Sequence, residues 1–213
     1  MEKLKIMGIL NVTPDSFSDG GQYNSVEASL RRVKEMVDDG VDIIDVGGYS
    51  TRPGHSEVTI EEEIERVVPV IEAIKHIAPM ISVDTFRSEV ARAAIEAGAH
   101  IVNDQWRGTY DDRILEVVKQ YNVPVILMHN RTEMIPDDKD AMDEVINDLK
   151  ASIDLCKKYD INDDLIWLDP GIGFQKTREQ ELNVMKQLDR LVCLGYKVLL
   201  ATSRKRFVNT LLD

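Results

Sequence analysis

Short apolar runs recur along the chain at 4–10, 42–47, 80–84, 100–104, 123–129, 165–169 and 196–202, separated by longer segments of helical period. Each run is almost continuously apolar instead of alternating. That is the pattern of strands buried on both faces, as in a parallel sheet covered by helices. The segments between carry helix signals. Asn24 and Glu27 are spaced as a capping box ahead of Val26, Leu30, Val33 and Val37, with Gly40 to close the helix. Thr59 and Glu62 repeat the box before Ile64, Val67, Ile71 and Ile74. Ser88 opens a third helix that stops at Gly98, and a fourth is expected over 111–120. A fifth sets Met142, Val145, Ile146, Leu149 and Ile153 on one face, and a sixth runs from Thr177 to Gly195. Pro69 falls inside the second helix, where it costs about 3 kcal/mol or bends it. Residues 130–140 are weakly patterned and read as a loop.

Strand then helix, repeated with right-handed crossovers, builds either an open doubly wound sheet or a closed barrel. No Gly-rich dinucleotide fingerprint follows the first strand, which removes the main sign of the open sheet. No linker or composition shift divides the chain, so residues 1–213 are expected to form one α/β domain. No apolar run approaches the ~20 residues of a membrane span, and the first residues do not form a signal peptide, so a cytoplasmic location is expected. Cys156 and Cys193 both fall on apolar helix faces and are expected as reduced, buried thiols. The net charge of -12 argues against nucleic acid and anionic membrane as partners. It also requires any site for an anionic substrate to be locally basic.

Barrel enzymes take their catalytic residues from the C-terminal ends of many strands. Here a polar group stands at nearly every such end: Asn11, Asp45, Asp84, Asn103 with Asp104, His129 with Asn130, Asp169, and the Ser203-Arg204-Lys205 segment. One Asp after a strand is an ordinary cap or turn residue; so many Asn and Asp directly on strand ends point to a shared site. Asp84, Asn103 and Asp169 suit a flat, nitrogen-rich heterocycle, because a carboxylate accepts two parallel hydrogen bonds from an aminopyrimidinone edge and an amide both donates and accepts. Lys205 can donate to a ring carbonyl. The loops 13–21 and 48–54 are polar and Gly-containing, as active-site lids often are. Arg52 is an anion donor, and Asn11 can offer its amide oxygen to Mg2+.

The segments GILNVTPDSFSDGG, DIIDVGGYSTRPG, ISVDTFRSEV, IVNDQ, WLDPGIGF and ATSRKRF occur in order across the whole chain. Together they resemble the signatures of the dihydropteroate synthase family. The resemblance implies a pterin-binding (β/α)8 TIM barrel that joins 6-hydroxymethyl-7,8-dihydropterin pyrophosphate to para-aminobenzoate, giving 7,8-dihydropteroate and pyrophosphate in folate biosynthesis. It implies pterin contacts from Asp84, Asn103, Asp169 and Lys205, and pyrophosphate contacts from Asn11 and Arg52 with Mg2+ at Asn11. Catalysis would fall to Asp84, Asp169, Lys205 and Arg52. Phe17, Ser18, Asp19, Thr51, Pro53 and Phe174 would surround para-aminobenzoate, where sulfonamides would compete. It also implies a homodimer for the intact enzyme.

The pattern supplies seven strands where a closed barrel has eight. The eighth strand and its helix are absent from this chain, and with them the Arg-x-His pair that the family uses for pyrophosphate. The chain reads either as part of a longer enzyme or as a short relative. Strand edges beside the first and last strands would then be exposed, so low stability and weak activity are expected; near-normal turnover would contradict this. Two other functions share parts of the signature: a methyltransferase domain that binds a pterin cofactor, and a pterin-binding fragment without catalysis.

Overall fold

The computed structural model describes residues 4–12, 21–49 and 58–202. The backbone divides into two compact units, Met1–Asn103 and Asp104–Asp213.

The first unit holds strands β1 (Met7–Asn11), β2 (Ile43–Gly47), β3 (Ile81–Asp84) and the greater part of β4 (Ile101–Asp104), with helices α1 (Gly21–Asp38), α2 (Ile60–Ile74) and α3 (Ser88–Ala97). The strands pair in parallel, each with its successor in sequence. Ile44, Val46, Ile81, Val83, Ile101 and Val102 are wholly buried, as the continuous apolar runs require. Burial of each such side chain contributes about 1.5–3 kcal/mol. The Thr59/Glu62 capping box forms as expected, with Thr59 N donating to the Glu62 carboxylate at 2.9 Å and Glu62 N to Thr59 Oγ1 at 3.1 Å. Helix α2 continues through Pro69.

The first helix differs from expectation. It begins at Gly21, so Asn24 and Glu27 lie within it and Asn24 is not its cap. Gln22 and Tyr23 offer nothing that stops a helix from extending backward, and a capping signature alone does not fix a boundary. Gly40 closes the segment as read, at φ 89°.

The second unit holds α4 (Arg113–Tyr121), β5 (Val125–Met128), α5 (Ala141–Lys158), β6 (Ile166–Asp169), α6 (Arg178–Lys186), α7 (Leu188–Val192) and β7 (Lys197–Val198). Strand β6 pairs in parallel with β5 and β7. All five side chains expected on the inner face of α5 are buried, and its cap is Asp140, which accepts from Asp143 N. Residues 130–140 form a loop, held down by Gln180, whose side chain donates to the Ile135 carbonyl at 2.9 Å.

Two readings of the last third need correction. The expected single helix from Thr177 to Gly195 is broken at Gln187 into α6 and α7. Gln187 leaves the helical conformation while its side chain donates to Asn183 and Asp140. The break resets the helical phase, so Cys193 is exposed instead of buried, beside an exposed Val192. Cys156 is buried as expected, and burial pushes its thiol up to about 12, leaving it inert. The last strand is two residues long rather than seven, because only Trp167 and Leu168 of β6 pair with it.

Among the described residues no helix is long and apolar enough to cross a membrane.

Candidate active site

In the first unit the strand register assembles a row of polar residues. Asn11 is paired with Gly47, Gly47 with Asp84 and Asp84 with Asn103. Neighbours in register on parallel strands point to the same face, so Asn11, Asp84 and Asn103 project together at the C-terminal edge. Gly47 leaves the space between them open. A Cβ at that position would stand 3.4 Å from Asp84 Oδ2 and 3.7 Å from Asn11 Oδ1.

One layer deeper lies Asp45, which the sequence places among the strand-end polar residues but without a role of its own. It is 5% exposed and accepts a hydrogen bond from Asn103 Nδ2 at 3.0 Å. The bond fixes the Asn103 amide and uses one of its N–H groups. Burial raises the Asp45 carboxyl above its ordinary range, against the opposing effects of Ser82 and Asn103. A carboxylate inside the otherwise apolar DIIDV run was the available signal.

Behind the segment that follows β2 sits a second buried carboxylate. Glu63 of α2 is fully buried and paired with the Arg87 guanidinium at 2.9 Å. Arg87 also lies over the rings of Tyr49 and Phe86, with centroid distances of 5.1 and 5.4 Å. Arg66 donates to the Gly48 carbonyl at 3.0 Å. Gly48 is pressed so closely on α2 that a Cβ would meet Val67 at 2.8 Å. Gly48 and Tyr49 are therefore seated on a charged and aromatic bed.

The second unit places Asp169 at the end of β6, 2% exposed, with Oδ1 accepting from Gly171 N at 2.7 Å and its carbonyl accepting from His129 N at 2.8 Å. The turn that follows carries Phe174, half-buried, whose N–H donates to the Gly171 carbonyl. Lys176 is buried and directs its ammonium at Gly171 O, Phe174 O and His129 Nδ1, at 2.9, 3.1 and 2.8 Å. Across the imidazole, His129 Nε2 stands 3.2 Å from Asp148, which also holds Arg131 at 2.6 Å and Arg107 at 3.6 Å. Burial works to raise Asp148, but its bonds with His129 and Arg131 and the Arg107 charge outweigh that and hold it well below the ordinary carboxylate range. None of Lys176, Asp148 and Arg107 was anticipated; only the strand-end position of His129 was.

A cleft of about 340 Å³ opens among Trp106, Arg107, Asn130, Arg131, Met134 and Asp148. Its guanidiniums are engaged by Asp148 and Glu144. Asp104, beneath it, is pushed up to about 6 by burial, against the hydrogen bonds from the Trp106 and Gly108 amides.

His129 makes a testable case for pH. Burial lowers it from 6.5 to about 4, so it stays neutral in the fold. The unfolded chain takes the proton first as the pH falls, so this contribution is complete above 6.5 and is withdrawn between 6.5 and 4. From pH 7.5 to pH 4.5 the loss expected from this group is about 2–3 kcal/mol. In urea titrations at the two pH values, the His129→Gln variant should lose that much less than the unaltered protein. Equal losses in both would show that His129 does not titrate in this way.

Asn11, Asp84 and Asn103 are thus brought together in the first unit, and Asp169 and Phe174 stand on one short segment of the second. The expectations for Phe17, Ser18, Asp19, Thr51, Arg52, Pro53 and Lys205 lie outside the described residues. Among the described residues no three His, Cys, Asp or Glu side chains converge as an all-protein metal cage. The exposed Asn11 oxygen facing the space over Gly47 nevertheless fits Mg2+, which keeps several waters and takes few protein ligands.

Comparison with known proteins identifies the family. The family model described as "Pterin binding enzyme" matches residues 7–213. The chain is 54% identical over 212 residues to the dihydropteroate synthase of Staphylococcus haemolyticus, covering 100% of this chain and 79% of that protein. It is 50% identical over 213 residues to that of Bacillus subtilis, covering 100% and 74%. A Clostridium difficile dihydropteroate synthase solved in the presence of pteroic acid superposes with a TM-score of 0.92 at 44% identity, over 98% of this chain and 79% of that one. The Xanthomonas albilineans enzyme with 4-aminobenzoic acid gives a TM-score of 0.90 at 41% identity, over 98% and 76%. The α/β barrel class read from the sequence is the class of these relatives. With family match and identity extending along the whole chain, this protein belongs to the dihydropteroate synthase family of pterin-binding enzymes.

Proposed function

We propose that this chain is a transferase that condenses 6-hydroxymethyl-7,8-dihydropterin pyrophosphate with para-aminobenzoate, forming 7,8-dihydropteroate and releasing pyrophosphate. The observation that carries the reading is the row Asn11–Gly47–Asp84–Asn103 on one register line, in a chain about half identical to dihydropteroate synthases over its whole length.

The chemistry divides among the residues as follows. Asp84 and Asp169 accept from the aminopyrimidinone edge of the pterin and offset the positive charge that spreads into the ring as the C–O bond to pyrophosphate breaks. Asn103, clamped by Asp45, presents a fixed amide. Asn11 would hold Mg2+ through its amide oxygen, and the ion would supply charge neutralisation for the leaving pyrophosphate. Arg52 assists it there and Lys205 completes the pterin contacts. The neutral aniline nitrogen of para-aminobenzoate attacks the methylene carbon and then loses its proton; an aniline needs no strong base for this. Phe174, with Phe17, Ser18, Asp19, Thr51 and Pro53, encloses the aniline ring, and sulfonamides compete for that space. The intact enzyme is a homodimer, and it works in the cytoplasm without nucleic acid or membrane partners.

Calorimetric titration with the pterin pyrophosphate, followed by chromatography after adding para-aminobenzoate, tests the reading. Binding, and dihydropteroate formed in equal amount with pyrophosphate, is the expected result. Asp84→Asn and Asp169→Asn should each weaken pterin binding at least tenfold, since each replaces a two-acceptor carboxylate by an amide that turns a donor toward a donor. Absence of pterin binding by the unaltered protein would overturn the function.

A further inference from the structure

Lys176 has no part in the chemistry above, yet its surroundings are unusual. Its ammonium is buried, and three donors meet three acceptors: the carbonyls of Gly171 and Phe174 and the Nδ1 of His129. A buried cation is tolerated only when its hydrogen bonds are satisfied. The imidazole accepts because His129 is neutral, with its other nitrogen facing Asp148. Two of the acceptors belong to the turn between β6 and α6, whose backbone is held at positive φ at Gly171, Gly173 and Gln175. That turn carries Phe174, and its Gly171 N–H binds the Asp169 carboxylate at 2.7 Å.

We infer that Lys176 is a positioning residue for the pterin site: by clamping the Gly171 and Phe174 carbonyls against His129 it holds the turn in the one conformation that aims the Gly171 amide at Asp169. The inference rests on the pterin-binding reading of Asp169. Lys176 does not touch substrate. Its loss frees a turn in which glycine and positive-φ residues have many other conformations available, and Asp169 then loses the amide that sets its orientation. The linkage to Asp148, Arg131 and Arg107 ties the clamp to helix α5 through Asp148.

The test compares Lys176→Met with Leu149→Ala, a control that loosens the same unit from a buried position on α5. Affinity for 6-hydroxymethyl-7,8-dihydropterin pyrophosphate is measured by calorimetry well below both melting temperatures. Lys176→Met should weaken binding at least tenfold, with Leu149→Ala within twofold of the unaltered protein. An unchanged affinity in Lys176→Met, or an equal loss in the control, would overturn the positioning role. Should Lys176→Met not fold, Lys176→Arg carries the same test: it keeps the charge but displaces the donors, and its affinity should fall at least threefold. Failure of the functional reading looks different, because the unaltered protein itself would then not bind the pterin.

Discussion

Replacement of Arg87 by Met should destabilise the protein by about 3–5 kcal/mol, the range seen when one partner of a buried ion pair is removed. Glu63 is 0% exposed, and the Arg87 guanidinium is bonded to it at 2.9 Å. Burial already raises the Glu63 carboxyl, and the Thr85 hydroxyl and the charges of Arg87 and Arg66 only partly offset this. Without Arg87 the folded-state value climbs further. A carboxyl raised in the fold binds a proton more readily there than in the unfolded chain, so stability falls as pH rises through the affected range. The Arg87→Met penalty should therefore be larger at pH 8 than at pH 5. Urea titrations at the two values check it. The double variant Glu63→Gln with Arg87→Met should recover at least half of the loss at pH 8, because the amide carries no charge to leave unpaired. A penalty under about 1 kcal/mol, as for an exposed pair, would show that Glu63 and Arg87 are not a buried pair in solution. The same change removes the cation from the faces of Tyr49 and Phe86, so it should also loosen the packing of Tyr49.

Gly171→Ala should cost about 4 kcal/mol. Two effects combine. Gly171 has φ 64°, in the left-handed region where a side chain is strained. In addition, a Cβ there would overlap the carbonyl oxygen of His129. The obstacle is backbone at the end of β5, so no rotamer change relieves it. Gly195→Ala provides the reference. Gly195 has φ 86° but nothing within 4 Å of a Cβ, so its loss should stay near 1 kcal/mol, the strain alone. Comparable losses in the two variants would mean that the contact with His129 is looser than the structure shows. Gly171→Ala should also weaken pterin binding, because the amide that orients Asp169 belongs to the displaced residue.

These effects separate what one-dimensional pattern can and cannot carry. The apolar runs located all seven strands among the described residues, and the period of α5 named five of its buried side chains, because burial on both sides of a strand or along one stripe of a helix is written into consecutive residues. The Thr59 and Thr177 caps were legible for the same reason: a capping box is a contact between residues three apart. The start of the first helix was misplaced because an Asn and a Glu three residues apart also occur inside a helix, so the spacing alone does not fix a boundary. Cys193 was misread because the break at Gln187 depends on Asp140, far away in sequence.

The sequence by itself determined the order of strands and helices, and the Asn and Asp residues at the strand ends. Its motifs carried the resemblance to a pterin-binding enzyme. The tertiary structure alone decided which of those residues meet. Parallel register set Asn11, Asp84 and Asn103 in one row around a bare Gly47. Packing placed Asp45 under Asn103, Arg87 on Glu63, and Lys176 beneath the turn that carries Phe174. Those supporting contacts join residues 24 to 58 positions apart in the first two cases. No local period encodes them, because whether a buried charge is satisfied depends on what the fold brings to it.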